Sequence, residues 1–348
     1  MESFSKSVFY VFFRKKLFLY FEKIYFLLLC FFEFVFGGAR KDSKMRLVTR
    51  SDFDGLACGA LLKELGLVDE WKFVHPKDLQ DGVVDINDND VLANVPYVEG
   101  CKLWFDHHSS ETQRLGKNAK FQGESRITDS AARVIYDYYG GDAKLPHFKE
   151  MVKWVDKVDS GKLTADEILN PKDWILLGFL MDPRTGLGRF RNFRISNYEL
   201  MGVLMEACRT QNIDQILANP DVKERVDLYK EQTELFRKML EKHTKIYKNA
   251  IVTDLRGVED IYTGNRFYIY SLHPEQNISL WIVDGRGKLN APIAVGHSVI
   301  NRTSKTDVGA LLLKYGGGGH HQVGTCQVSY DDADRVIKEL IAKINADG

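Results

Sequence analysis

The stretch CKLWFDHHSSE, Cys101 to Glu111, runs from mostly apolar residues straight into Asp106, His107 and His108. A carboxylate and an imidazole offered together at a strand end supply one oxygen and one nitrogen ligand, a mixture better suited to Mn²⁺ than to Mg²⁺. Adjacent side chains of an extended segment point to opposite sides, so the two histidines divide the work. One ligates while the other faces substrate oxygens or organises the groups around the ion. Upstream, TRSDFDG places Asp52 and Asp54 two residues apart around a tight turn. Carboxylates so spaced can converge on a hard divalent cation, although the same pattern also serves as a plain helix-capping turn. Downstream, Gly316 to Gly319 precede His320 and His321. Here Gly317, Gly318 and Gly319 would let backbone N–H groups approach phosphate oxygens, with the two imidazoles adding donors.

These residues need a scaffold that gathers them. RLVTR, WKFVHP, DVLANVPYV and KLWFDHH read as strands, alternating with the helical stretches GLACGALLKELG, starting at Gly55, and TDSAARVIYDYYG. The alternation predicts an α/β fold with a largely parallel sheet, whose ligands gather at the carboxyl ends of the strands. From Asp221 a charged segment repeats Val226, Tyr229, Phe236, Leu240 and Tyr247 at roughly helical spacing, which predicts a linker helix. Beyond it AIVTDL, RFYIYSL, ISLWIVDG and IAVGHSVI read as strands and TDVGALLLKYG as a helix, giving a second, smaller α/β domain. The expected division is an extension over 1–44, a catalytic domain over 45–220, the linker over 221–249 and a substrate-binding domain over 250–348, with the active-site cleft between the two domains.

Composition narrows the partners. With 48 basic and 48 acidic residues the net charge is zero, which gives no whole-chain argument for nucleic acid or a membrane surface. One local exception is MDPRTGLGRFRNFRISN, where Arg184, Arg189, Arg191 and Arg194 interleave with Phe190 and Phe193. That pattern serves either single-strand stacking and backbone neutralisation or a loop packed on its own domain. Five scattered cysteines without a C-x-x-C pair point to a reducing cytoplasm. The first 44 residues hold 11 of the 21 phenylalanines, yet charges interrupt them before the ~20 apolar residues of a membrane span are reached. Met45 is the expected natural start, with a membrane-peripheral anchor as the alternative role for the extension.

In order, TRSDFDG, WFDHHSSE, VDKVDSG and YGGGGHHQVGT resemble the motifs of the DHH phosphoesterase superfamily carrying its associated C-terminal domain, over Met45 to about Tyr330. The resemblance implies a metal-dependent phosphohydrolase that uses activated water, without a Ser or Cys intermediate, on the end of a short RNA or DNA, a nucleotide or a polyphosphate chain. It further implies Mn²⁺, with Mg²⁺ as a substitute, at Asp52, Asp54, Asp106, His107 and Asp159. Asp106 and His108 would serve in catalysis, with His108 facing the phosphate. Arg302, Gly317, Gly318, Gly319, His320 and His321 would hold substrate, and dimers are common in the family. Two departures stand out. Arg50 occupies the place of a frequent histidine, and Asn94 that of a metal-bridging aspartate, unless Asp88 or Asp90 fills it. These replacements add about two positive charges at one locus, the charge of one divalent ion. Two readings follow: a one-metal enzyme in which Arg50 supplies the missing charge, or a phosphate-binding relative with weakened or lost catalysis.

Overall fold

The computed structural model describes residues 45–115 and 120–348. The Phe-rich extension, and with it the reading of Met45 as the start, lies outside the described residues. Short apolar runs build the first sheet: β1 (Met45–Thr49), β2 (Val68–Phe73), β3 (Asp90–Ala93), β4 (Leu103–Asp106) and β5 (Gly123–Ser125). They lie in the order β2-β1-β3-β4-β5, and every neighbouring pair is parallel. Leu47, Val91, Ala93, Trp104 and Phe105 are fully buried, as expected of parallel strands covered on both faces.

Between β1 and β2 runs α1 (Phe53–Glu64), buried from Phe53 to Leu62 and therefore apolar on all sides. It begins two residues earlier than expected because Asp52 caps it, Oδ1 accepting from the Gly55 N–H at 2.9 Å. After β5 come α2 (Ala131–Tyr138), α3 (Lys149–Asp159), α4 (Asp173–Met181), α5 (Asn197–Thr210) and the long α6 (Pro220–His243). The chain leaves β1 to form β2 on one side and returns to form β3 on the other. This reversal opens a crevice at the carboxyl ends of β1 and β3, the usual ligand position in an open parallel sheet.

The second sheet comprises β6 (Thr244–Tyr247), β7 (Ala250–Asp254), β8 (Ile278–Ile282), β9 (Asn290–His297), β10 (Gly318–Gly319) and β11 (Val323–Ser329), in the order β10-β11-β9-β8-β7-β6. Only β7 and β8 run parallel, so this sheet is mixed. One expected strand is a helix: RFYIYSL forms α7 (Tyr268–Leu272). Its aromatic residues favour strands by themselves, but Asn265 Oδ1 accepts from the Phe267 N–H at 2.9 Å and starts a turn. The Tyr270 hydroxyl then reaches Ser279 Oγ at 2.7 Å, docking the turn on the sheet. The helices α8 (Val308–Leu313) and α9 (Ala333–Asp347) complete this part. No helix among the described residues is long and apolar enough to cross a membrane.

Candidate functional site

Asp54, His107 and Asp159 converge from three separate elements: the first turn of α1, the residue after β4 and the last residue of α3. Each offers one ligand atom, and these atoms lie within 4.8 Å of one another. Behind Asp54, the first two N–H groups of α2, from Ala131 and Ala132, donate to its carboxylate at 2.9 and 2.8 Å. A helix N-terminus thereby fixes the carboxylate in place. His107 Nδ1 lies 3.2 Å from the Thr128 carbonyl, so Nδ1 carries the hydrogen and the Nε2 lone pair is free. That Nε2 is buried with no hydrogen-bond partner, 3.3 Å from Asp159 Oδ2 and 3.7 Å from Asp54 Oδ2.

A lone pair facing two carboxylates is unfavourable unless a cation or a proton sits among them. Burial and the Asp159 charge push the Asp54 carboxyl up to about 7, and burial raises Asp159 as well. The orphaned imidazole nitrogen and this mixed oxygen and nitrogen set fit a divalent transition ion.

Asp52, two residues from Asp54 and only 6 % exposed, has different company. Its Oδ1 accepts from Gly55 N and from Asn94 Nδ2 at 3.0 Å, while Oδ2 lies 3.2 Å from Arg50 Nε. Asn94 reaches it because its backbone is left-handed, with φ of 57°, a conformation that Asn and Asp tolerate best among side-chain-bearing residues. Gly55 is fixed by space: a Cβ there would lie 2.0 Å from the Arg50 carbonyl oxygen. Asp52, expected as a metal ligand, is thus engaged by an amide, a backbone N–H and a guanidinium. Asp90 is no candidate for this locus, because it starts β3 at the opposite end and pairs with Arg46 at 2.7 Å. Asp88 is exposed beside it.

Asp106 also stands outside the triad. Fully buried, it accepts from His108 Nδ1 at 2.8 Å and from the His108 N–H at 3.3 Å. Burial disfavours the charged imidazole, but the Asp106 hydrogen bond and charge outweigh it and raise His108. Asp156, the near neighbour of Asp159, accepts from Ser130 Oγ and Arg133 Nε and is committed to the start of α2.

From the second sheet, His320 brings its ring to 6.4 Å from that of His108, the planes 25° apart. His321 instead lies by Asp307, at 3.5 Å, and the His297 ring. The expected cradle of free glycine N–H groups is corrected in part. Gly317 N donates to Leu312 O at 3.0 Å and His320 N to Val323 O at 2.7 Å, while Gly318 and Gly319 pair with β11. Glycine is required there by packing, since a Cβ on Gly317 would meet Thr325 O at 2.3 Å. Arg302, expected on substrate phosphate, donates Nη2 to Gly161 O at 2.6 Å and Nε to Val299 O at 3.1 Å, tying the second sheet to the turn after α3.

The arginine-rich segment folds onto its own surroundings. The buried Arg225 guanidinium lies 4.0 Å from the Phe193 ring centre, and Arg189 Nη2 donates to Thr263 Oγ1 at 2.9 Å. Arg184 alone of the four lines the small depression that Asp52, Asp54, Asp159, Asp182 and Arg266 also line. Arg266 and Asp182 were invisible to sequence reasoning: 84 residues apart, they belong to no local pattern.

No family model matches the chain. Among solved structures it is similar to PggH, the pGpG-specific phosphodiesterase of Vibrio cholerae, with 50 % identity and a TM-score of 0.75 over 88 % of this chain and all of that one. Manganese-bound RecJ from Thermus thermophilus is 13 % identical, with a TM-score of 0.47 over 90 % of this chain and 54 % of that one. Among curated proteins, an A-adding tRNA nucleotidyltransferase of Aquifex aeolicus is 24 % identical over 240 residues, which are 68 % of this chain. The match spans only 24 % of that enzyme's length. The parallel sheet, the site at its switch point and the PggH likeness make the class plain. The chain belongs to the DHH phosphoesterase superfamily.

Proposed function

We propose that this protein hydrolyses the internucleotide bond of a 5′-phosphorylated dinucleotide, pGpG in the first instance, using one divalent cation of the Mn²⁺ type held by Asp54, His107 and Asp159. The observation that carries the reading is the 50 % likeness to a pGpG-specific phosphodiesterase across that enzyme's whole chain, together with the orphaned His107 Nε2 between two carboxylates. A bound divalent ion supplies charge that activates water and steadies the attacked phosphoryl oxygens.

The chain's own residues do the remainder. Arg50 is 31 % exposed, and among the described residues nothing accepts a hydrogen bond from its terminal nitrogens. It is available to a phosphate oxygen at the locus where Asp52 and Asn94 complete a neutralised cluster. His108, whose charged form Asp106 favours, would use its second ring N–H to donate to the departing 3′-oxygen. His320 covers that ring from the other side.

The test measures Mn²⁺-dependent GMP release from pGpG, with a longer RNA and polyphosphate alongside and metal per chain counted by elemental analysis. Preferred cleavage of pGpG with one tightly held ion is the expected result. Cleavage of polyphosphate alone would sink the substrate assignment, and two tightly held ions would sink the one-cation site. Binding without turnover on every substrate would favour the weakened relative.

A further inference from the structure

In the depression lined also by Asp54 and Asp159, two guanidiniums share one carboxylate. Asp182 Oδ1 accepts from Arg184 Nε at 2.7 Å and from the Arg184 N–H at 2.9 Å, while its Oδ2 accepts from Arg266 Nε at 3.3 Å. Arg184 sits in a short 3-10 turn, Pro183–Thr185, capped by that same Asp182. Arg266 lies over the Phe267 ring at 4.0 Å, which fixes its plane. Both side chains are anchored through Nε, and among the described residues their terminal nitrogens meet no acceptor. They are 47 % and 33 % exposed, open toward the cavity they line.

Charge in the region is unbalanced in a way that calls for an anion. Asp52, Asp54, Asp159 and Asp182 face Arg50, Arg184 and Arg266, and a divalent ion on the triad leaves one positive charge over. The Arg184 charge also crowds Arg266, whose guanidinium is brought down to about 10, chiefly by burial. A like-charged pair so placed is relieved by an anionic ligand.

We propose that Arg184 and Arg266, steadied by Asp182, form a subsite for the terminal phosphate monoester of the substrate, beside the phosphodiester that is cut. The assignment rests on the dinucleotide reading above, in which the scissile phosphate occupies the cation site and the 5′-phosphate is the other anionic group. Two forks arriving from separate segments suit a tetrahedral group with three free oxygens. The planar edge of a base needs only one. The subsite would make the enzyme favour a phosphorylated 5′ end one internucleotide bond away from the cut.

The experiment compares kcat/KM for pGpG, for pApA and for GpG, which lacks the terminal phosphate, in the wild type, Arg184→Gln, Arg184→Lys and Arg266→Gln, with bound metal counted in each. The wild-type preference for pGpG is expected to fall about tenfold or more in either Gln variant, with partial recovery in the Lys variant. An unchanged preference in both Gln variants would overturn the subsite. So would a loss confined to discrimination between pGpG and pApA, which would mean base reading, or a loss of bound metal, which would assign the pair to the triad. If the wild type cleaves neither dinucleotide, the substrate reading fails separately. The subsite is then judged by binding of 5′-GMP against guanosine to the Mn²⁺-loaded protein: tighter GMP binding that Arg184→Gln abolishes supports it, and equal binding overturns it.

Discussion

Asp52 and Asp54 sit in one turn, two residues apart, and both are buried, yet they live in opposite electrostatic worlds. Asp52 is met by the Arg50 guanidinium, the Asn94 amide and the Gly55 N–H. Asp54 is anchored by two helix N–H groups but faces another carboxylate and an imidazole lone pair. The first locus is complete with protein groups alone, and the second requires a cation or a proton. Carboxylate spacing announces a possible site, and the charge of the groups around each carboxylate decides which one ligates.

The comparison breaks most visibly at His107. His107→Ala removes the only nitrogen ligand, and Mn²⁺-dependent turnover should fall about a thousandfold or more, with metal content dropping to match. Arg50→Ala should retain the bound ion while impairing turnover, if the two loci are as different as their surroundings imply. The converse change is larger in chemical meaning. Arg50→His combined with Asn94→Asp removes a guanidinium and restores a carboxylate, so the ion count should rise from one to two per chain. Asp accepts the left-handed backbone at position 94 as Asn does, so the fold tolerates the change. A count that stays at one in the double variant would show that Asp52 is excluded for another reason.

A smaller effect separates the loci by pH. Asp54 titrates near 7 when folded and at about 3.8 when unfolded, so its protonated form favours the native state. That contribution is complete below about pH 3.8 and is lost as pH rises through 7. The raised Asp159 and His108 act with the same sign. Metal-free protein should therefore lose about 1 kcal/mol through Asp54 between pH 6 and pH 8 in urea melts, and added Mn²⁺ should remove most of that slope. A metal-free profile that is flat or rising over this window would contradict the assignment. Beside it, Asp106→Asn should lower the His108 titration, read by NMR, because the hydrogen bond survives without the charge.

Much of this was written in local pattern. Apolar runs ending in acidic or His residues gave the parallel strands and the position of the site at their carboxyl ends. Asp54, His107 and Asp159 were among the residues named from spacing and family resemblance, and they are the ones brought together. What escaped is what depends on partners distant in the chain. Asp106 reads as a ligand beside His107, but the pleat turns it toward His108. RFYIYSL has strand residues, yet a turn started by Asn265 makes it helical. The glycines before His320 suggested free N–H groups, whereas the fold spends the Gly317 N–H on the end of α8 and the His320 N–H on its own hairpin. Arg266 carries no local signal at all, because its meaning arises only when Asp182 is folded against it.

The least expected change at the site comes from Asp90→Asn, and it sharpens the comparison by elimination. Asp90 is 1 % exposed and lies in the segment that aligns with the usual bridging aspartate, so sequence alone leaves it a rival to Asn94. In the fold it faces the amino end of the sheet, where Arg46 Nε and Nη2 and the Asn87 N–H fill both its oxygens. Asparagine keeps one acceptor and loses the ion pair, so unfolding free energy should drop by about 1 kcal/mol. Bound metal and turnover should not move. If metal content fell with the charge at position 90, the bridging position would belong to Asp90, and the pairing of Arg50 with Asn94 around Asp52 would no longer explain the missing ligand.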